Sequence, residues 1–84
     1  MKVKVSDNAV VTLFPNPAKD FTTISASSII NRYTIMEMSG RIVETKPLLS
    51  NNTLINTAFL SKGIYILTAI LASGEQQTFK MVKY

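Results

Sequence analysis

The sequence contains no cysteine, no histidine and no tryptophan. Without the first two there are no disulfide staples, no thiol nucleophile, no imidazole base and none of the usual nitrogen or sulfur ligands of a zinc site. Carboxylates are scarce as well: Asp7, Asp20, Glu37, Glu44 and Glu75 are the only ones, and no motif pairs them. A two-carboxylate glycosidase also needs a cleft that holds a sugar, and a domain of this size has little room for one. Asp7, Asn8, Asn51 and Asn52 offer oxygens, but not in an acidic loop repeat of the EF-hand kind. Neither catalysis nor a resident metal or cofactor is therefore expected. Long apolar runs are missing too. A membrane helix needs roughly 18 apolar residues without a break, and the longest stretch here, 64–72, is already interrupted by Thr68. The chain is not expected to span a membrane by a helix. Residues 1–5 alternate Lys and Val and lack the apolar core of a secretory signal peptide, so an exported protein would carry its signal upstream of this sequence.

What remains is a foldable chain of 84 residues, 46% hydrophobic and only 17% charged. That size bounds it to one hydrophobic core, and with no covalent cross-link the core must stabilise the domain unaided. Nine Lys and Arg against five Asp and Glu give a net charge of +4. The cations Lys2, Lys4, Lys19, Arg32, Arg41, Lys46, Lys62, Lys80 and Lys83 are scattered, whereas a nucleic-acid footprint is a clustered basic stripe with aromatic platforms. No nucleic-acid partner is expected. The absence of cysteine leaves the redox compartment open.

Strand signals dominate. Short runs rich in Val, Ile, Thr, Phe and Tyr are punctuated by Gly, Pro, Asn and Ser about every 8 to 12 residues. The predicted strands cover residues 10–14, 20–26, 30–38, 41–44, 53–57, 64–72 and 76–84. Pro15, Asn16 and Pro17 end the first, because two fixed φ angles and two missing amide donors forbid a central strand. Ser27 and Ser28 loosen the second. Ser39 and Gly40 form the tight connection of the clearest hairpin, Pro47 closes its second arm, and residues 50–52 form a polar loop. Residues 58–63 form a compact connection pinned to the core by Phe59 or Leu60. Strand 64–72 is the longest and is apolar on both parities, with Ile64, Ile66 and Ile70 on one face and Tyr65, Leu67 and Leu71 on the other. It is expected to be central and covered on both sides. Ser73 and Gly74 turn the chain into the last strand. The predicted architecture is all-β, an antiparallel immunoglobulin-like β-sandwich of about seven strands with Greek-key topology. Residues 1–10 read as an N-terminal linker or first edge strand, and 11–84 as the domain itself.

Four segments, in this order and spacing, carry a resemblance: Leu13-Phe14-Pro15-Asn16-Pro17-Ala18-Lys19-Asp20, Glu37-Met38-Ser39-Gly40-Arg41-Ile42-Val43, Leu60-Ser61-Lys62-Gly63-Ile64-Tyr65-Ile66-Leu67 and Lys80-Met81-Val82-Lys83. Together they resemble the C-terminal sorting domain of the type IX (Por) secretion system of Bacteroidetes, over residues 11–84. Glu37 stands where that family often has Asp, and Phe14 where Tyr is frequent. The resemblance implies an address tag on an exported cargo: in the periplasm in transit, then at the cell surface or outside the cell. Its implied partners are the translocon, outer-membrane shuttle proteins and a sortase-like peptidase that in many members removes the domain and attaches the cargo to the surface.

Individual residues divide between structure and recognition. Pro15, Asn16 and Pro17 serve as a strand terminator that blunts an edge. Gly40 and Gly63 serve backbone geometry, Arg41 pairs with Glu37 or Glu44, and Tyr65 is a core or sheet-face residue with its hydroxyl at a rim. Lys80, Val82, Lys83 and Tyr84 form the candidate recognition strip, a mixed basic and apolar edge strand open to β-augmentation. An open edge would also admit a homodimer, and the same lysines would serve equally as a guard against aggregation. The competing reading is an accessory β-sandwich, a fibronectin-like spacer or a carbohydrate-binding module. The sugar-binding form is weakened by the lack of Trp and the dispersal of Tyr33, Tyr65 and Tyr84.

Overall fold

A computed structural model describes residues 10–84. It consists of five strands: β1 (Val11–Phe14), β2 (Phe21–Glu37), β3 (Ile42–Asn56), β4 (Gly63–Leu71) and β5 (Gln76–Lys83). There is no helix among the described residues, and so none long and apolar enough to cross a membrane. The linker or edge strand expected over 1–10, together with Asp7 and Asn8, falls almost entirely outside them.

All five strands belong to one antiparallel sheet organised around β2. Along one side β2 pairs with β3. Its other side is shared, with β1 against the first half and β4 against the second. β5 then pairs with the far side of β4. After β1 the chain crosses to the outer edge of β5, where Ala18 makes a parallel bridge to Lys83. The sheet curls into a half-barrel, and the core lies in its hollow.

The expectation of about seven strands in a two-sheet Greek-key sandwich gives way here to five strands in one sheet. The predicted strands 20–26 and 30–38 are the single strand β2, and 41–44 and 53–57 are both parts of β3. Residues 27–28 and 50–52 do not become loops, because they lie opposite one another. The ladder runs Ser25 to Asn52 and then Ile30 to Ser50, leaving four residues on β2 against one on β3. Such a bulge bends the ribbon without breaking it. The backbone freed at the bend is satisfied on the other side: Ser27 N–H donates to Val10 O at 3.0 Å, and Ala72 N–H donates to Ile29 O at 2.9 Å.

β4 is central, between β2 and β5, but it is neither the longest strand nor covered on both faces. Tyr65, Leu67, Ala69 and Leu71 point into the core, while Ile64 is 44% exposed and Ile66, Thr68 and Ile70 are half-buried on the outside. Only one layer exists to cover it, so its second apolar parity faces outward. Ile24, Ile30, Ile35, Ile55, Leu67, Leu71 and Met81 are the largest fully buried apolar side chains. Each contributes about 1.5–3 kcal/mol by leaving water, an upper figure for a chain that is already partly collapsed when unfolded. In the β3–β4 connection Leu60 is buried and Phe59 is exposed, so Leu60 is the pin.

Candidate functional site: the last strand and its edge

β5 is placed by the β4–β5 hairpin. Gly74 takes φ +95°, a conformation open to glycine at no steric cost, and its N–H donates to Leu71 O at 2.8 Å. From there the strand alternates: Phe79 and Met81 turn to the core, and Gln76, Thr78, Lys80 and Val82 turn outward. The candidate strip therefore divides. Lys80 and Val82 share the outer face, Lys83 belongs to the opposite parity with its ammonium on Tyr84 O at 3.2 Å, and Tyr84 is exposed.

The edge of this strand is occupied. Asn16 Nδ2 donates to Lys80 O at 2.9 Å, and Val82 N–H donates to Asn16 Oδ1 at 3.0 Å. Two residues on, Ala18 N–H donates to Val82 O at 2.7 Å and Tyr84 N–H to Ala18 O at 2.9 Å. The Pro15–Ala18 region thus acts as a short neighbouring strand for residues 80–84. The expectation of an edge strand open to β-augmentation fails over these residues, because main-chain groups already paired cannot template another strand. Lys80 therefore offers its side chain, and Val82 its side chain, but not the carbonyl or amide that Asn16 and Ala18 engage. Pro15 and Pro17 do end β1, as expected of a residue without an amide donor. The edge that is blunted, however, is that of β5, and Asn16 does the covering.

Two buried threonines hold this segment in place, and neither drew attention in the sequence. Thr22 Oγ1 donates to Pro15 O at 2.8 Å, and Thr57 Oγ1 donates to Lys19 O at 3.2 Å while Thr57 N–H donates to Asp20 O. Both threonines are fully buried. A Thr within an apolar strand pattern reads as ordinary β-propensity, so only the tertiary contact reveals the role.

The other motif residues are structural by placement. Gly40 closes the β2–β3 hairpin at φ +97°, and Arg41 forms an ion pair with Glu37 across that turn. The Arg41 hydrogen bonds hold the Glu37 carboxyl below its ordinary range, and Glu37 in turn raises the guanidinium. Gly63 begins β4 at φ +149°. Tyr65 is buried and its hydroxyl donates to Ser61 O at 2.7 Å, tying the strand to the connection four residues upstream as in a tyrosine corner. Tyr33, also buried, has its phenol pushed up to about 12, chiefly by burial and secondly by the Glu44 charge. Among the described residues no group of three or more acidic, His or Cys side chains comes together.

Comparison with known proteins bears on residues 12–84, which match the family described as secretion system C-terminal sorting domain. A similar solved structure is that of PorZ from Porphyromonas gingivalis, described as an essential bacterial surface component of the type IX secretion system. The two superpose with a TM-score of 0.72 at 16% identity, over 88% of this chain and 11% of PorZ. The likeness is one of fold, and the chain spans about a ninth of that protein. No curated protein matches by sequence.

Proposed function

Because the chain belongs to the C-terminal sorting domain family of the type IX secretion system, we propose that it is the export address of a larger cargo, recognised in folded form at the translocon. The observation that carries the reading is the family match over residues 12–84, nearly the whole folded region. The geometry adds a physical constraint: with the outer edge of β5 taken up by Asn16 and Ala18, a receptor meets side chains on the sheet surface and not free backbone. Lys80, Val82 and Tyr84 remain candidates for that contact, while Lys83 sits on the other parity.

In this reading the domain is not catalytic, and the chemistry of the cargo lies elsewhere in the parent. Transit through the periplasm, hand-over to an outer-membrane shuttle, removal by a sortase-like peptidase and attachment of the cargo to the cell surface are the downstream steps. A homodimer through an open edge has less support. β3, the long outer strand, carries the Glu44–Lys46 ion pair at 3.5 Å on its core-facing side and Pro47 beside it, both devices that discourage edge-to-edge pairing.

The test fuses residues 1–84 behind a Sec signal and a fluorescent reporter in a Bacteroidetes host and in its type IX secretion mutant. The reading expects reporter at the surface or in the medium of the wild type alone. Folded reporter retained in the periplasm of both strains would overturn it.

A further inference from the structure

The outer face of the sheet is divided into rows of unlike chemistry. Cross-strand partners share a face, so one row runs Thr78–Thr68–Thr34–Thr45 across β5, β4, β2 and β3. Two residues along β5, β4 and β2, and three along β3 where the ladder bulges, the next row reads Lys80–Ile66–Met36–Ile42, and the one beyond it Val82–Ile64. Thr, Ile and Val suit a strand about equally, so strand formation does not require the apolar choice in these rows. Nor does the core require it, since Tyr65, Leu67, Ile35 and Met81 fill the opposite face. Ile42 is 57% exposed and Ile64 44%, with Ile66, Met36 and Val82 half-buried beside them. The outer face of an antiparallel sheet is ordinarily polar, and contiguous apolar residues there mark a contact surface.

Charge distinguishes what covers it. Lys80 lies in the apolar row, and the exposed Lys62 stands two residues before Ile64. The ion pairs among the described residues are Arg41–Glu37 and Lys46–Glu44, so neither of these two ammonium groups is matched by a described carboxylate. An apolar centre bordered by uncompensated positive charge complements a surface of apolar centre and acidic rim.

We propose that the face formed by Ile42, Met36, Ile64, Ile66 and Val82 docks a protein partner whose contact surface is apolar at its centre and carries carboxylates at its rim. The inference rests on the sorting reading, in which that partner belongs to the export machinery, and it places recognition on three further strands besides β5.

The reporter fusion described above supplies the test, with I64T/V82T, K62E/K80E and, on exposed β3 away from the face, L54T as control. I64T/V82T is expected to keep the wild-type melting transition and to lower export about tenfold, as is K62E/K80E, while L54T stays within about twofold of wild type. A photo-crosslinking residue in place of Ile64 should capture a periplasmic or outer-membrane protein. Wild-type export matched by folded I64T/V82T overturns this inference and leaves the sorting reading standing. Failure of the wild type itself to be exported removes both. Should I64T/V82T fold poorly, K62E/K80E decides at two exposed positions, and undiminished export overturns the inference. Crosslinks to lipid alone, or to a second copy of the chain, overturn it as well.

Discussion

The Asn16 carboxamide presents one donor and one acceptor with the spacing of a peptide unit, so it fits a strand edge where the flanking prolines have no N–H to give. N16A should lose about 1 kcal/mol of stability, since Lys80 O and Val82 N–H then turn to water, and it should raise the exchange rate of the Val82 amide in hydrogen-exchange measurements. T22V is more damaging in proportion, at about 1–3 kcal/mol by denaturant titration, because it strips the Pro15 carbonyl of its donor at a buried site. Tyr33 sets an alkaline limit. The unfolded phenol ionises near 10 and the folded one near 12, so the unfolded chain releases its proton first and stability falls as pH rises through that window. Below pH ~10 both forms are protonated and the contribution is fully present. Wild type should therefore lose more stability than Y33F between pH ~9 and pH ~12, on the order of 1 kcal/mol per pH unit across the window, by denaturant titrations at each pH. Leu49 is 72% exposed at φ +55°, a left-handed position that suits Asn or Gly better, and L49N should stabilise by about 0.5–1 kcal/mol in thermal melts.

At the scale of elements, β5 is a structural strand as well as part of the proposed recognition surface. Deleting residues 78–84 removes Phe79 and Met81 from the core and strips Asn16 and Ala18 of their partners, so the truncated domain should lose its cooperative melt by circular dichroism. A cargo so truncated is expected to remain in the periplasm for want of a fold as well as of a recognition strip. The hairpins around Gly40 and Gly74 were legible in the sequence because turn chemistry is local. The continuity of β2 and β3 was not, because Ser27 and Ser28 read as a break until their position opposite residues 50–52 is known. The same limit applies to β4: its two apolar parities implied two covering layers, whereas the structure supplies one and leaves Ile64 and Ile66 facing out. Of the site, Pro15 to Pro17 and the last strand stood out separately in the sequence. Their direct contact did not, since the hydrogen bonds span 64 and 66 residues.

For the whole molecule, those spans govern when the fold can exist. Core strands close early in sequence terms, β2 on β3 through a four-residue turn, but the half-barrel is sealed only where Asn16 and Ala18 meet residues 80–84. Contacts of such high sequence separation demand that a long loop be ordered before any reward is felt, and they slow folding accordingly. In a chain that emerges from its N-terminal end, the segment after β1 waits for β5. The seal between residues 16–18 and 80–84 therefore forms last, after every other strand is already in reach of its neighbour.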